Sequence, residues 1–233
     1  MARLSGITVL VTGASSALGL TTIGRLVGEG AEVVAAEFGD DSEITAAFGE
    51  HVEVLALDVT SPESWQQAAE SFGARGSGLH GLVNSAASVR TGPLTAMPLD
   101  DVRTMIDVNM LGPALGIRAL APLLAASGGG SIVNIASTEA MRGSADAAVF
   151  SATNWGLRGL TRSAALELGS MGIRVNAVCP SIGLLARQPA LADAGSERAV
   201  TMGDVAAMVA FLLSDDSATC TGGDFMVDAG ASA

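Results

Sequence analysis

The sequence contains no lysine and no tyrosine, and its 12 basic side chains, all arginine, face 24 carboxylates for a formal net charge of −12. A surface this acidic repels nucleic acid and anionic membrane, so neither is expected as a partner. Cysteine is nearly absent too. Cys179 and Cys220 lie far apart, and the opening Met1-Ala2-Arg3-Leu4-Ser5-Gly6 lacks the layout of a signal peptide. Both are read as reduced thiols of a cytoplasmic protein rather than as a disulfide. Apolar runs such as 119–126 are too short and broken to span a bilayer. No Cys/His/Asp cluster has ligand spacing, so no metal is expected. There is no fixed-period repeat and no low-complexity linker.

What is present fits one domain over 1–233. The chain is 49% apolar, enough to build a full core. Richness in alanine, glycine and arginine points to a GC-rich coding sequence, which by itself can turn Lys into Arg. Short apolar, β-branched runs alternate with helical stretches. Strands are predicted at 7–11, 32–36, 52–57, 79–84, 131–136, 174–178 and 225–228. Helices are predicted from the first glycine turn to about Gly28, after the Ser61-Pro62 start, over 99–126, over 147–171 and over 202–213. Continuous apolar strands separated by helices imply an α/β fold: a doubly wound Rossmann-type domain with a mainly parallel, seven-stranded sheet. Ligands of such sheets bind at the carboxyl ends of the strands, here Thr12, Glu37, Asp58, Asn84, Ser137 and Cys179-Pro180.

The run Thr12-Gly13-Ala14-Ser15-Ser16-Ala17-Leu18-Gly19 follows the first strand and opens a helix. Such a turn offers backbone N–H groups and the positive helix end to a pyrophosphate. Glu37, about 20 residues on, stands where an acidic side chain accepts from ribose hydroxyls and repels a 2′-phosphate, which favours NAD over NADP.

With these residues in view, the chain resembles the short-chain dehydrogenase/reductase family along essentially its whole length. The glycine run is similar to the family's TGxxxGxG turn, and Asp58-Val59 to its adenine-binding Asp. Asn84-Ser85-Ala86-Ala87 resembles its NNAG turn, Asn109 its helix Asn, and 130–137 the strand that ends in its catalytic Ser. The stretches 174–180 and 221–230 match its sixth strand and carboxyl-terminal motif. The resemblance implies cofactor contacts from Gly13, Ser15, Ala17, Leu18, Gly19, Glu37, Asp58, Val59, Asn84, Ala86 and Pro180, and catalytic roles for Ser137 and Asn109. Ala17, Ala87 and Ser181 replace glycines of the pattern. A Cβ at these places narrows the pocket and strains any left-handed backbone; otherwise the methyls point away.

The family's general acid is a Tyr, tuned by a Lys one helical turn later. At those positions stand Phe150, which has no proton to give, and Asn154, which has no charge. Losing a positioned acid costs about 10²–10⁴-fold in rate. Glu139 and Asp146 are read as solvated loop carboxylates, with a replacement acid as the alternative. Arg142 is read as a surface charge or an anion-binding group. Cys179 is read as an inert buried thiol, and His51 and His80 as surface residues away from the site. The segment 181–199, a substrate lid in the family, looks short. Two functions remain open: an NAD(H)-dependent oxidoreductase, slow or with a substitute acid, and a catalytically silent member serving as a binding or structural subunit. A small-molecule ligand is compatible with both. A homo-oligomer, or a mixed one, is expected through the helices near 101–126 and 149–169.

Overall fold

The structure is a computed structural model that describes residues 2–76, 78–141, 143–181 and 199–232. Seven strands, all parallel, form one sheet: β1 (Thr8–Thr12), β2 (Glu32–Glu37), β3 (Glu53–Ala56), β4 (Gly81–Asn84), β5 (Gly130–Ile135), β6 (Ile173–Pro180) and β7 (Asp224–Val227). Their order is β3-β2-β1-β4-β5-β6-β7, a single doubly wound, Rossmann-like domain. The helices are α1 (Ala17–Gly28), α2 (Ser42–Phe48), α3 (Pro62–Arg75), α4 (Leu99–Ile106), α5 (Gly112–Ala126), α6 (Ala148–Leu168) and α7 (Met202–Leu213).

Both faces of the sheet are covered, which is why the central strands read as unbroken apolar runs. Every residue of β1 is buried. Side chains alternate between faces: Val9 and Val11 meet Leu18, Ile23 and Leu26 of α1 and Val205 and Val209 of α7. Leu10 joins Trp65 and Phe72 of α3, Leu120 and Leu124 of α5 and Ala164 of α6 on the other side. The edge strand β3 is only half covered. Ser61 caps α3 by accepting from the Ser64 N–H at 3.1 Å, with Pro62 in the first turn, as its sequence implies.

Three features depart from the expectations. Residues 38–51 carry no strong periodicity, yet they form α2 and a short 3₁₀ turn. The predicted helix 99–126 is interrupted by a π turn over Asp107–Leu111, where the Gly112 N–H bonds back to Asp107 O. Pro113 explains the break, because it has no N–H to give Asn109 O and its ring crowds that carbonyl. By length and composition alone this 28-residue run passes for a membrane span. In the fold it is a core element, with Met105, Leu120 and Leu124 fully buried. Lastly, His80 is half-buried rather than a surface residue. Its Nδ1 accepts the Thr8 N–H at 3.1 Å and closes the start of β1.

Candidate functional site

The strand order reverses between β1 and β4, and a cavity of about 590 Å³ opens there at the carboxyl edge. Its wall takes one contribution from each neighbouring strand end: Gly13 and Ser15–Leu18 after β1, Glu37 and Phe38 after β2, Leu57–Thr60 after β3, and Ser85–Ala87 after β4.

The glycine turn is packed tightly. A Cβ on Gly13, whose φ is +64°, would lie 2.7 Å from Ala86 Cα, and one on Gly19 would lie 2.3 Å from Gly13 O. Both positions therefore demand glycine. Thr12 Oγ1 ties the two turns together, accepting the Ser85 and Ala86 N–H groups at 3.0 and 3.1 Å. Ser16 caps α1, accepting from the Gly19 N–H at 2.9 Å and donating to Gly13 O at 2.8 Å. Ala17, Ala87 and Ser181 do not have positive φ. Their side chains cost no backbone strain, although Ala17 and Ala87 do line the cavity.

Glu37 Oε2 accepts from the Ser15 N–H and hydroxyl at 2.8 and 2.7 Å, and its Oε1 accepts from the Phe38 N–H at 2.9 Å. A carboxylate has about four acceptor sites, so one remains for a ribose hydroxyl. Asp58 Oδ1 accepts from the Thr60 N–H and hydroxyl at 2.9 and 2.7 Å. Asp40 and Glu43 complete an acidic wall without a basic side chain among its described lining residues. The bond from the Ser42 N–H keeps the Asp40 carboxyl below its usual range. A nucleotide fits this side: the cradle is one a Cβ would fill, and the donors for its phosphates are backbone N–H groups at the start of α1.

The other predicted residues lie towards β5 and β6, and most are spent on internal bonds. Asn84 Nδ2 donates to Asn134 Oδ1 at 2.8 Å, and Asn134 Nδ2 donates to Thr161 Oγ1 at 2.8 Å. Asn109, on the π turn, accepts the Ser88 N–H at 2.7 Å and donates to Ser88 O at 2.9 Å. It thereby clamps the loop after β4. Ser137 is 0% exposed, and its Oγ accepts the Glu139 N–H at 3.3 Å. Phe150 packs with Met105 and Val149. Asn154 Nδ2 donates to Phe150 O at 2.8 Å, one turn back on its own helix. Pro180 is buried at the end of β6. Between Asn84, Asn109, Phe150 and Asn154 remains a cavity of only about 10 Å³, room for one water at most.

Glu139 is not a solvated loop residue as expected. It is 2% exposed, and its Oε2 has no hydrogen-bond partner. Asp146 is exposed, as expected, with φ +60°. Cys179 is buried, and its thiol is pushed up to about 12, chiefly by burial, with Asp224 raising it further and Arg158 opposing. That fits the expectation of an inert thiol. Arg142 and residues 182–198 of the expected lid lie outside the described residues. Thr12, Asn134 and Thr161 carry the site's internal bonds; the sequence marks Thr12 as a strand end but not as the tie between two turns, and it does not single out Asn134 or Thr161. The spacing of Thr12 before the glycine turn is the one signal that marks any of them.

Fold and turn together define a Rossmann-type domain. A family profile described as enoyl-(acyl carrier protein) reductase matches residues 13–232. The chain is 36% identical over 240 residues to 3-alpha-(or 20-beta)-hydroxysteroid dehydrogenase of Mycobacterium tuberculosis, covering 98% of this chain and 90% of that one. It is 31% identical over 252 residues to trans-4-hydroxycyclohexanecarboxylate dehydrogenase of Sinomonas cyclohexanicum, covering 99% and 95%. A short-chain type dehydrogenase/reductase from Mycobacterium ulcerans superposes with a TM-score of 0.91 at 27% identity, covering 99% and 91%. The chain belongs to the short-chain dehydrogenase/reductase family.

Proposed function

We propose that this family member binds a nucleotide of the NAD type and has lost, or nearly lost, ordinary carbonyl reduction and alcohol oxidation. The observation that carries the proposal is the pair Phe150 and Asn154, both buried, with the Asn154 amide turned back on the Phe150 carbonyl. When bound, a nicotinamide supplies or accepts a hydride; the protein's task is to hold the partner substrate and move a proton. Phe150 has nothing to donate, and no cationic side chain follows one turn later to stabilise an anion. Gly13, Ser15 and Leu18 cradle the phosphates. Glu37 takes a free ribose hydroxyl and repels a 2′-phosphate, and Asp58 and Val59 meet the base. Ser137 and Asn109 keep structural parts of the family's site.

The protein then acts in the cytoplasm as a nucleotide-binding subunit. Exposed apolar side chains on the outer faces of the helices support a homo-oligomer: Ile106, Met110 and Leu111 on one side, and Trp155 and the 86% exposed Leu166 on the other. A second reading, an NAD(H)-dependent oxidoreductase with a substitute acid, is favoured by one observation. Glu139 is a buried carboxyl with an unpartnered oxygen, two residues after Ser137.

Titration with NADH, followed by its fluorescence, tests the proposal, and saturable binding is expected. No binding at millimolar levels overturns it. Incubation with NADH and a panel of cyclic and steroid ketones should give no turnover. A rate of about 1 s⁻¹ or more removes the silent reading, and its loss in Glu139→Gln moves the assignment to the second.

A further inference from the structure

We propose that the adenosine diphosphate half of a dinucleotide is the whole ligand of this chain, and that a nicotinamide adds nothing to its affinity. The inference rests on the reading above and narrows it.

Among the described residues, the carboxyl edge of the sheet opens widely beside β1–β3 and again past β7, where a cavity of about 440 Å³ is lined by Val227–Gly230, but hardly at all between β4, β5 and α6. The cavity of about 590 Å³ is of ordinary size for a small-molecule site. It is bounded by the groups that recognise an adenosine diphosphate: the N–H-rich turn for phosphates, Glu37 for a ribose, and Asp58 and Val59 for a base. Phe38 stands in the same wall, 72% exposed, an apolar ring left in water at the place where a purine can stack on it. Ser85 also lines this cavity. It is 7% exposed, and its hydroxyl, itself buried, has no hydrogen-bond partner.

The reacting end does not fit its half of the dinucleotide. Ser137, Asn154 and Pro180, which the family resemblance assigns to that end, do not line the large cavity. Phe150 and Asn154 border instead the space of about 10 Å³. The Asn154 amide donates to its own helix, where a ribose hydroxyl would need it as a donor. Ala86 and Ala87 line both spaces, so the turn after β4 lies between them. Among the described residues, the contrast between an open adenosine end and a nearly closed space beside Phe150 and Asn154 is what a half-ligand explains.

The test is calorimetric titration of the whole chain with ADP-ribose, NADH and nicotinamide mononucleotide at one salt concentration. ADP-ribose and NADH carry similar charge, so the acidic wall weighs on both alike. Their dissociation constants should agree within about threefold, with no saturable binding of the mononucleotide. Saturation-transfer NMR on bound NADH should label adenine protons and leave nicotinamide protons unlabelled. Phe38→Ala, at an exposed position that leaves the fold intact, should weaken both ligands about tenfold. NADH binding more than about tenfold tighter than ADP-ribose, or strong transfer to the nicotinamide ring, overturns the half-ligand while leaving nucleotide binding in place. An unchanged affinity in Phe38→Ala removes the stacking role and counts against it too. No binding of any of the three overturns both proposals together.

Discussion

The turns after β1 to β3 and the elements around β5 and β6 share one sheet edge but use their polar groups in opposite ways. On the first side, Glu37 and Asp58 are braced by Ser15 and Thr60 and still face an open cavity. On the second, Asn84, Asn134, Asn109 and Asn154 all bond to protein, and the space between them is almost filled. On the function proposed above, a family's binding motif and its catalytic motif diverge independently. The first rests largely on backbone geometry, which glycine enforces, whereas the second rests on particular functional groups that a single substitution removes.

The largest expected effect tests whether the open side is a rigid cradle. Gly13→Ala puts a Cβ 2.7 Å from Ala86 Cα at a positive φ. It should cost about 3–5 kcal/mol in urea unfolding and abolish nucleotide binding; a fold and affinity left unchanged would mean that the turn is slack. The filled side is probed next. Asn134→Ala strips Asn84 and Thr161 of a buried partner, and should cost about 2–3 kcal/mol, read as a lower melting temperature. Phe150→Tyr with Asn154→Lys restores the family's pair of side chains. Because both positions are buried, the double variant should melt lower and gain no ketone reduction. Turnover in it would shrink the contrast to two missing functional groups.

Smaller effects sharpen the contrast further. Glu37→Gln should shift the preference for NADH over NADPH by about tenfold towards NADPH, measured by competition, through lost repulsion of the 2′-phosphate. The smallest effect is at Cys179. Its thiol keeps its proton to about pH 12, against an ordinary value of 9.0, so the folded state holds that proton more tightly than the unfolded chain. This contribution to stability is complete below pH 9 and fades as pH rises towards 12. Iodoacetamide should modify only Cys220 in the native protein and both thiols after denaturation. Two modified thiols in the native state would contradict the burial.

The strands were legible because a parallel sheet covered on both faces leaves apolar runs bounded by turn residues, as at 7–11 and 131–136. The glycine turn was legible because its constraint is local. Helix α2 was not, since seven residues give periodicity too little length. The π turn was hidden because α-helical periodicity continues on both sides, and only Pro113 hints at it. His80 and Glu139 were misjudged for one reason: a polar residue in a loop or at a strand end is usually wet, and only the packing of distant elements decides otherwise. Asn84 and Asn109 both border the small space beside Phe150, but whether an amide faces a ligand or another amide depends on its neighbours in space.

The Asn84–Asn134–Thr161 chain also acts as a key. Asn84 and Asn134 are direct neighbours in the β4–β5 ladder. Apolar strands can slide by two residues and still present greasy faces to the helices. A sheet keyed by one amide pair cannot, because any such slip strands two buried polar groups without mates. The seam between the open and the filled side is therefore where the alignment of the whole sheet is decided.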